Sequence, residues 1–445
     1  MMSWIRQIKE KYFTVSVKYS LRLVWAYKDV LRAHFPPVFS CYVRCFGKSQ
    51  KKAAQSLRNK NCREVAFFLT IPGMWKTDYL FKKMMESPYY HPYVVIYPYS
   101  VYKDFSKEEI WNTIHRTEEF VREKGFEYVV PYDEKKGKWL DVRKIYRPDI
   151  VFFTTPYKDI PSQYYIYHFR KSLCCYVPYG FASLELGKLN YDLVFHNLLG
   201  MYFLESEIHR EMAKRNARSG TNLYVSGFPG TEVYLRKDYT PKEVWKSQPV
   251  AKKRLIWAPH HTIGQEEAVG ISTFLLYYDS MLALANKYRE VLQIAFKPHQ
   301  LLKFKLIALW GEEKTEAYYR QWDQMENTQL EEAGYVGLFL TSDAMIHDCG
   351  SFTTEYLFTR KPVMYLEKPD APSPTFNDFG RMSFSMHYIG RSLSDIEEFV
   401  KNVVIGGDDP KKESRQHFYD KYLQPIDGMM PSERIIYEIE KLINS

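Results

Sequence analysis

The chain has 445 residues, 45% of them hydrophobic, which is enough to bury a large core and too apolar for a disordered or fibrous protein. Its net charge of +9 is localised: residues 1–60 hold 13 Lys and Arg against Glu10 and Asp29, a net +11, so the remainder carries −2 and no nucleic-acid partner is expected. Six cysteines with no CxxC pair rule out a disulfide framework, and without metal-ligand spacing to the histidines they offer no zinc site.

In chain order, residues 1–60 read as a basic amphipathic arm and linker. A helical stripe runs through Trp4, Ile8, Tyr12, Val15, Tyr19, Leu23, Ala26 and Val30. Lys and Arg interrupt it too often for a membrane-spanning helix, and no cleavage site follows an apolar core. Basic residues beside Trp and Phe suit a helix lying on an anionic membrane surface, so residues 1–45 are expected to bind one peripherally. Pro36 and Pro37 are expected to end this segment, and the polar run Lys48 to Asn61 reads as linker.

Residues 61–245 then alternate strand and helix. Strands are expected at Val65–Ile71, Tyr93–Tyr97, Tyr128–Val130, Ile150–Phe153, Leu173–Val177, Leu193–Phe195 and Leu223–Val225, with a helix at Tyr79–Glu86. Such alternation predicts a parallel, doubly wound sheet. Two loops fall at strand carboxyl ends, where open α/β sheets bind ligands: Gly73 with Trp75, and Tyr179 with Gly180. Gly allows close backbone approach, and Trp75 or Tyr179 is expected to wall an acceptor.

A second alternation occupies residues 246–395. Its strands are expected at Arg254–Ala258, Leu292–Phe296, Val336–Leu340, Ala344–Ile346 and Val363–Leu366, with a helix at Phe274–Tyr288. The fold class is therefore α/β, two doubly wound Rossmann-like domains facing a cleft, with the basic arm ahead of them. Residues 396–445 are expected to pack back on the body as helices at Ser394–Val403 and Ser432–Ile443; Asp408-Asp409 between them reads as a solvated turn.

Three polar clusters sit at strand ends of the second domain. They are His260, His261 and Thr262; Lys297 and His299; and the run Cys349-Gly350-Ser351-Phe352 that opens a helix bearing Glu355. Free backbone N–H groups at a helix start favour a phosphate, and Glu355, one turn on, faces the same crevice as Ser351 and suits a ribose hydroxyl. N–H groups, a Lys and imidazoles together suit the charge that develops on a nucleoside phosphate leaving group, with no metal or other cofactor required. There is no Walker A run, no GxSxG and no GxGxxG, which removes the common NTPase, hydrolase and dinucleotide readings.

The series Trp257 to Ile263 (WAPHHTI), Phe296 to His299 (FKPH) and Ser342 to Leu357 (SDAMIHDCGSFTTEYL), followed by RKPVMYL, resembles the CDP-glycerol glycerophosphotransferase family of teichoic-acid-type polymerases and primases. The resemblance covers about residues 61–445 and is strongest over 254–366. It implies a GT-B-like, metal-independent transferase at the cytoplasmic face of the cell membrane. Such an enzyme moves a polyol phosphate from a CDP-activated donor to a lipid-linked polymer acceptor. It carries over His299 as a diphosphate contact, Gly350, Ser351 and Phe352 as the phosphate-binding turn, and Glu355 as the ribose contact; His260 and Thr262 take the loop after Ala-Pro.

This chain departs from the family at three places. Gln300 follows His299 where Pro is usual, Gly350 stands where Ser is more frequent, and Val177-Pro178-Tyr179-Gly180-Phe181 replaces the Trp-His-Gly-Thr motif whose His is the proposed base. His260 or His261 remains as a base if it faces the cleft. A glycosyltransferase using a nucleotide sugar and a non-catalytic nucleotide-binding scaffold therefore stay open as alternatives.

Overall fold

The computed structural model describes residues 36–98, 106–158, 160–264, 270–332, 334–368 and 375–445. The amphipathic stripe of the N-terminal arm lies outside these residues.

In chain order the first strands are β1 (Arg63–Leu69), β2 (Tyr90–Ile96), β3 (Tyr128–Val129), the short hairpin β4 (Tyr132–Asp133) and β5 (Lys138–Trp139), β6 (Ile150–Phe153), β7 (Leu173–Tyr176), β8 (Met201–Leu204) and β9 (Leu223–Val225). Seven of them form one sheet in the order β3-β2-β1-β6-β7-β8-β9, all parallel. The second set is β10 (Lys253–Ala258), β11 (Leu292–Phe296), β12 (Thr328–Leu330), β13 (Ala344–His347), β14 (Val363–Leu366) and β15 (Tyr388–Gly390). These form a parallel six-stranded sheet ordered β12-β11-β10-β13-β14-β15. Helices cover both faces, so central strands such as β6, β11 and β13 are buried throughout, and β6 is a continuous apolar run rather than an alternating one.

In each sheet the chain first winds outward on one side and then returns to wind outward on the other. The order reverses between β1 and β6 in the first sheet and between β10 and β13 in the second. A crevice opens at the carboxyl ends of the strands flanking such a reversal. In the second sheet the loops entering it begin at Pro259 and Asp348.

Four expectations are corrected. Leu193–Phe195 is not a strand: Val194–Leu198 is helical and the strand is β8, a few residues later. Val336–Leu340 lies in the helix Val336–Thr341, while the strand there is the polar edge β12, whose Gln329 side chain bonds backbone at Val244 and Lys246. Short apolar runs fit a helix as well as a strand, and an edge strand needs few apolar residues. The expected linker is helical: the described helix Pro36–Ser56 absorbs most of it because Phe46, Gln50, Ala53 and Ala54 are buried on one face. Asp409 is no solvated turn residue; it pairs with the fully buried Arg415 and accepts from Tyr388 Oη at 2.8 Å.

The final helix, Pro431–Asn444, crosses back to the first sheet. Ile435, Ile439 and Ile443, spaced four apart, are fully buried in the same apolar cluster as β1, contributing about 1.5–3 kcal/mol each. Glu440 on this helix accepts from Arg63 Nη1 at 2.6 Å and from Tyr90 Oη. Ser432 at its start bonds the buried Glu232 by both N and Oγ, each at 2.9 Å. The two halves of the chain are thereby tied together at their far ends.

Candidate functional site

The connection after β10 is built around a buried carboxylate. Asp348, 1% exposed at the end of β13, accepts from the backbone N–H of His260, and from Thr273 N–H at 2.6 Å and Thr273 Oγ1 at 2.9 Å. It thus clamps both ends of the stretch 260–273. Ser272 Oγ donates to the His260 carbonyl at 2.7 Å, closing the same junction. Burial raises the Asp348 carboxyl to about 6, against the three donors that lower it.

This clamp sets His260 against His261 and His299. The ring centres lie 4.3 Å apart for His260–His261, 4.3 Å for His261–His299 and 5.0 Å for His260–His299. His299 is positioned by β11, which pairs with β10, and by its own backbone N–H donating to the Pro259 carbonyl at 3.1 Å. Burial depresses His260 to about 2 and His299 to about 3, and the mutual repulsion of the cationic forms adds to it. At neutral pH the His260 and His299 rings are therefore uncharged.

One hydrogen bond fixes what His299 offers. Its Nδ1 accepts from the backbone N–H of Leu301 at 3.1 Å, so in the neutral ring the proton sits on Nε2 and that edge is a donor. The ligand atoms of the three histidines lie within 4.8 Å of one another, close enough to be considered for a metal ion. A protonated Nε2 has no lone pair for one, so the arrangement at His299 favours an anion. Thr262 is buried, with its hydroxyl between His260 Nδ1 at 3.0 Å and the N–H of Ile271 at 3.2 Å; it holds the loop and the His260 ring. Lys297 is buried to 7% exposure, and desolvation lowers its pKa, opposed by Glu331 and Glu332.

Gly350 and Ser351 lead into the short helix Phe352–Glu355. A Cβ on Gly350 would stand 3.0 Å from the Leu184 side chain of the first domain, so a larger residue here would press on the seam between domains. Ser351 Oγ lies 3.4 Å from Cys349 Sγ. Phe352 does not reach into the crevice with its ring, which packs on Tyr335 and Phe339; its contribution is backbone. Glu355 is buried and its Oε2 accepts from Tyr335 Oη at 2.6 Å. His347 and His387 are buried with ring centres 5.3 Å apart, each with Nδ1 bonded to backbone.

The first-domain loops meet this site at two places. Gly73 lies against the side chain of Gln300, just past His299. The loop after β7 crosses at 182–185: Ser183 Oγ is 3.0 Å from Thr354 Oγ1, Asn377 Nδ2 donates to the Ala182 carbonyl at 2.7 Å, and Glu185 N–H donates to the Thr375 carbonyl at 2.8 Å. Gly380 makes this docking possible, because a Cβ there would stand 2.0 Å from the Ser183 carbonyl oxygen.

Trp75 is a correction. It is 7% exposed, packed among Phe67, Phe81 and Phe126 with its indole N–H on Asp78, so it belongs to the core and walls no cleft. Tyr179 is half-buried against the first-sheet core, while Gly180 has open space where a Cβ would be. Sequence reasoning missed Asp348, Thr273, Lys76 and Tyr335. Asp348 carried a signal, an acidic residue at a strand carboxyl end inside the most informative stretch; Tyr335 carried none.

No protein-family model matches the chain, and no curated protein sequence does. Solved structures share its fold. A variant of the wall teichoic acid polymerase TagF aligns over 95% of this chain and 98% of that one, with a TM-score of 0.52 and 16% identity. The S. aureus MnaA–UDP co-structure aligns over 86% and 97%, with a TM-score of 0.54 and 13% identity. A putative UDP-N-acetylglucosamine 2-epimerase from Listeria monocytogenes gives 86%, 97%, 0.53 and 12%. At such identities the likeness concerns architecture: the chain has the two-domain, GT-B-like α/β fold of these proteins.

Proposed function

We propose that the protein is a transferase that moves glycerol phosphate, or a related polyol phosphate, from a CDP-activated donor to a lipid-linked surface polymer of teichoic-acid or capsular type. The observation that carries the reading is the convergence of His260, His299, Lys297 and the Gly350–Ser351 turn at the β10–β13 switch point, where the His299 Nε2–H and the Lys297 ammonium are donors for an anion. The full-length overlay on a wall teichoic acid polymerase supports it.

In this reading the donor diphosphate lies on the turn and the histidines. An acceptor hydroxyl oxygen bonds to the phosphorus that carries the polyol, the bond from that phosphorus to the bridging oxygen breaks, and CMP departs with the new negative charge. The Nε2–H of His299, the ammonium of Lys297 and the turn's N–H groups face that charge, so no divalent ion is required for it. His260 and His261 are the groups available to take the acceptor's proton.

Incubation with CDP-glycerol and a panel of nucleotide sugars tests the reading. Turnover of CDP-glycerol is expected; turnover of a UDP-sugar alone would overturn the donor assignment in favour of a glycosyltransferase. That second reading draws on the UDP-bound neighbour of the same fold and on Tyr179 standing where the family's base is expected. Nucleotide binding with no product from any donor would indicate a scaffold.

We further propose that the protein sits peripherally on the cytoplasmic face of the membrane through its basic arm. Among the described residues no helix is long and apolar enough to cross a membrane.

A further inference from the structure

The two domains are joined above the donor site by a short chain of polar atoms. Lys76 follows the Pro72–Met74 turn at the end of β1, in the first domain. Its ammonium donates to Tyr335 Oη at 3.1 Å and lies 5.3 Å from the centre of the same ring. Tyr335, just ahead of the helix Val336–Thr341 in the second domain, donates in turn to Glu355 Oε2 at 2.6 Å. Its ring is fixed by Phe339 at 4.9 Å and Phe352 at 5.1 Å.

Glu355 is held by one oxygen only. Its Oε1 takes no hydrogen bond among the described residues and is not among the side-chain atoms sealed from solvent without a partner. A carboxylate tied at Oε2 presents Oε1 in one direction, ready to accept from a hydroxyl at no further cost in rotamer freedom. The tie depends on Tyr335 donating its only proton to Glu355, and Lys76 enforces that direction, because an ammonium can only donate to the phenol oxygen. Its charge also polarises the Tyr335 O–H and shortens its bond to the carboxylate.

We propose that Lys76 and Tyr335 are positioning residues that aim Glu355 Oε1 at the ribose hydroxyls of a nucleoside diphosphate, so that ribose recognition is complete only while the two domains are closed. The inference rests on the donor-site reading above. It adds a contribution of the acceptor-side domain to nucleotide recognition, made without touching the nucleotide.

Calorimetry with CDP, 2′-deoxy-CDP and inorganic pyrophosphate tests it, with UDP and 2′-deoxy-UDP run alongside. The wild-type protein should prefer the ribonucleotide about tenfold. Y335F and K76M should each cut that preference to about two- or threefold, with pyrophosphate affinity unchanged, and K76M should add nothing in the Y335F background. Intact discrimination in both variants would overturn the positioning role while leaving the donor site standing. Equal wild-type affinity for ribo- and deoxyribonucleotide would remove Glu355 as the ribose contact and the proposal with it. Loss of pyrophosphate affinity in K76M would make Lys76 a phosphate ligand, which also overturns the positioning role. A wild-type protein that binds no nucleoside diphosphate would instead refute the donor-site reading.

Discussion

Replacing Asp348 by Asn tests whether the histidine cluster is preorganised by a single buried carboxylate. Both Asp348 oxygens accept: Oδ1 from His260 N–H, Oδ2 from Thr273 N–H and Oγ1–H. Asn has one acceptor oxygen and an NH2 of nearly the same shape. Turned so that its oxygen serves Thr273, it aims the NH2 at the His260 N–H; turned the other way, it confronts Thr273. Either way at least one donor in a site 1% exposed is orphaned, at about 1–3 kcal/mol. For a chain of 445 residues, with about 2 cal/mol/K of unfolding entropy per residue, 2 kcal/mol corresponds to roughly 2 °C in melting temperature. The site should suffer more than the whole, because the freed end of the stretch is His260 itself, and the affinity for CDP should fall about tenfold. Thermal melting and calorimetry on D348N measure the two effects. Wild-type stability together with wild-type CDP affinity would refute the account of Asp348 as the clamp.

The remaining expectations concern charge, packing and the arm. Burial depresses His196, His299 and His387 to about 3 and His260 to about 2, whereas in the unfolded chain they protonate near 6.5. Between these values the unfolded state holds more protons, so stability is lost as pH falls from about 6.5 toward 3, by up to about 1.4 kcal/mol per pH unit and histidine; Asp348, raised to about 6, acts in the opposite sense between 3.8 and 6. A urea midpoint that does not move between pH 7.5 and pH 5 would contradict this. H299A should cost about tenfold or more in affinity for a nucleoside diphosphate, as read by calorimetry, because the Nε2–H donor is lost. G380A should cost about 3 kcal/mol and loosen the domain seam, since its Cβ would meet the Ser183 carbonyl at 2.0 Å, and a wild-type melting temperature would count against that contact. Deleting residues 1–35, which keeps all of the packed residues Pro36–Ser56, should release the protein from anionic vesicles at low salt; retained binding would exclude the arm as the anchor.

The strand–helix alternation of both domains was legible because burying both faces of a parallel sheet demands apolar runs, and β6, β9, β11 and β14 coincide with theirs. The donor-side candidates were legible for a related reason: His260, His299 and Ser351 lie in the loops that follow strands, and a parallel sheet delivers its carboxyl ends to one edge. What the chain could not reveal by itself depends on contacts between residues far apart along it. Trp75 looks like a cleft residue beside a Gly-Met turn, and only the ring packing of Phe67, Phe81 and Phe126 makes it core. Asp348 gains its meaning from Thr273 and His260, 75 and 88 residues away, and Tyr335 gains its own from Lys76, 259 residues away. Local pattern therefore determined which elements form and which edge collects the polar loops. Long-range packing decided which side chains those loops present, because desolvation, hydrogen-bond partners and the pKa values that follow from them exist only once each domain has folded and, for Tyr335 and Lys76, once the two domains meet.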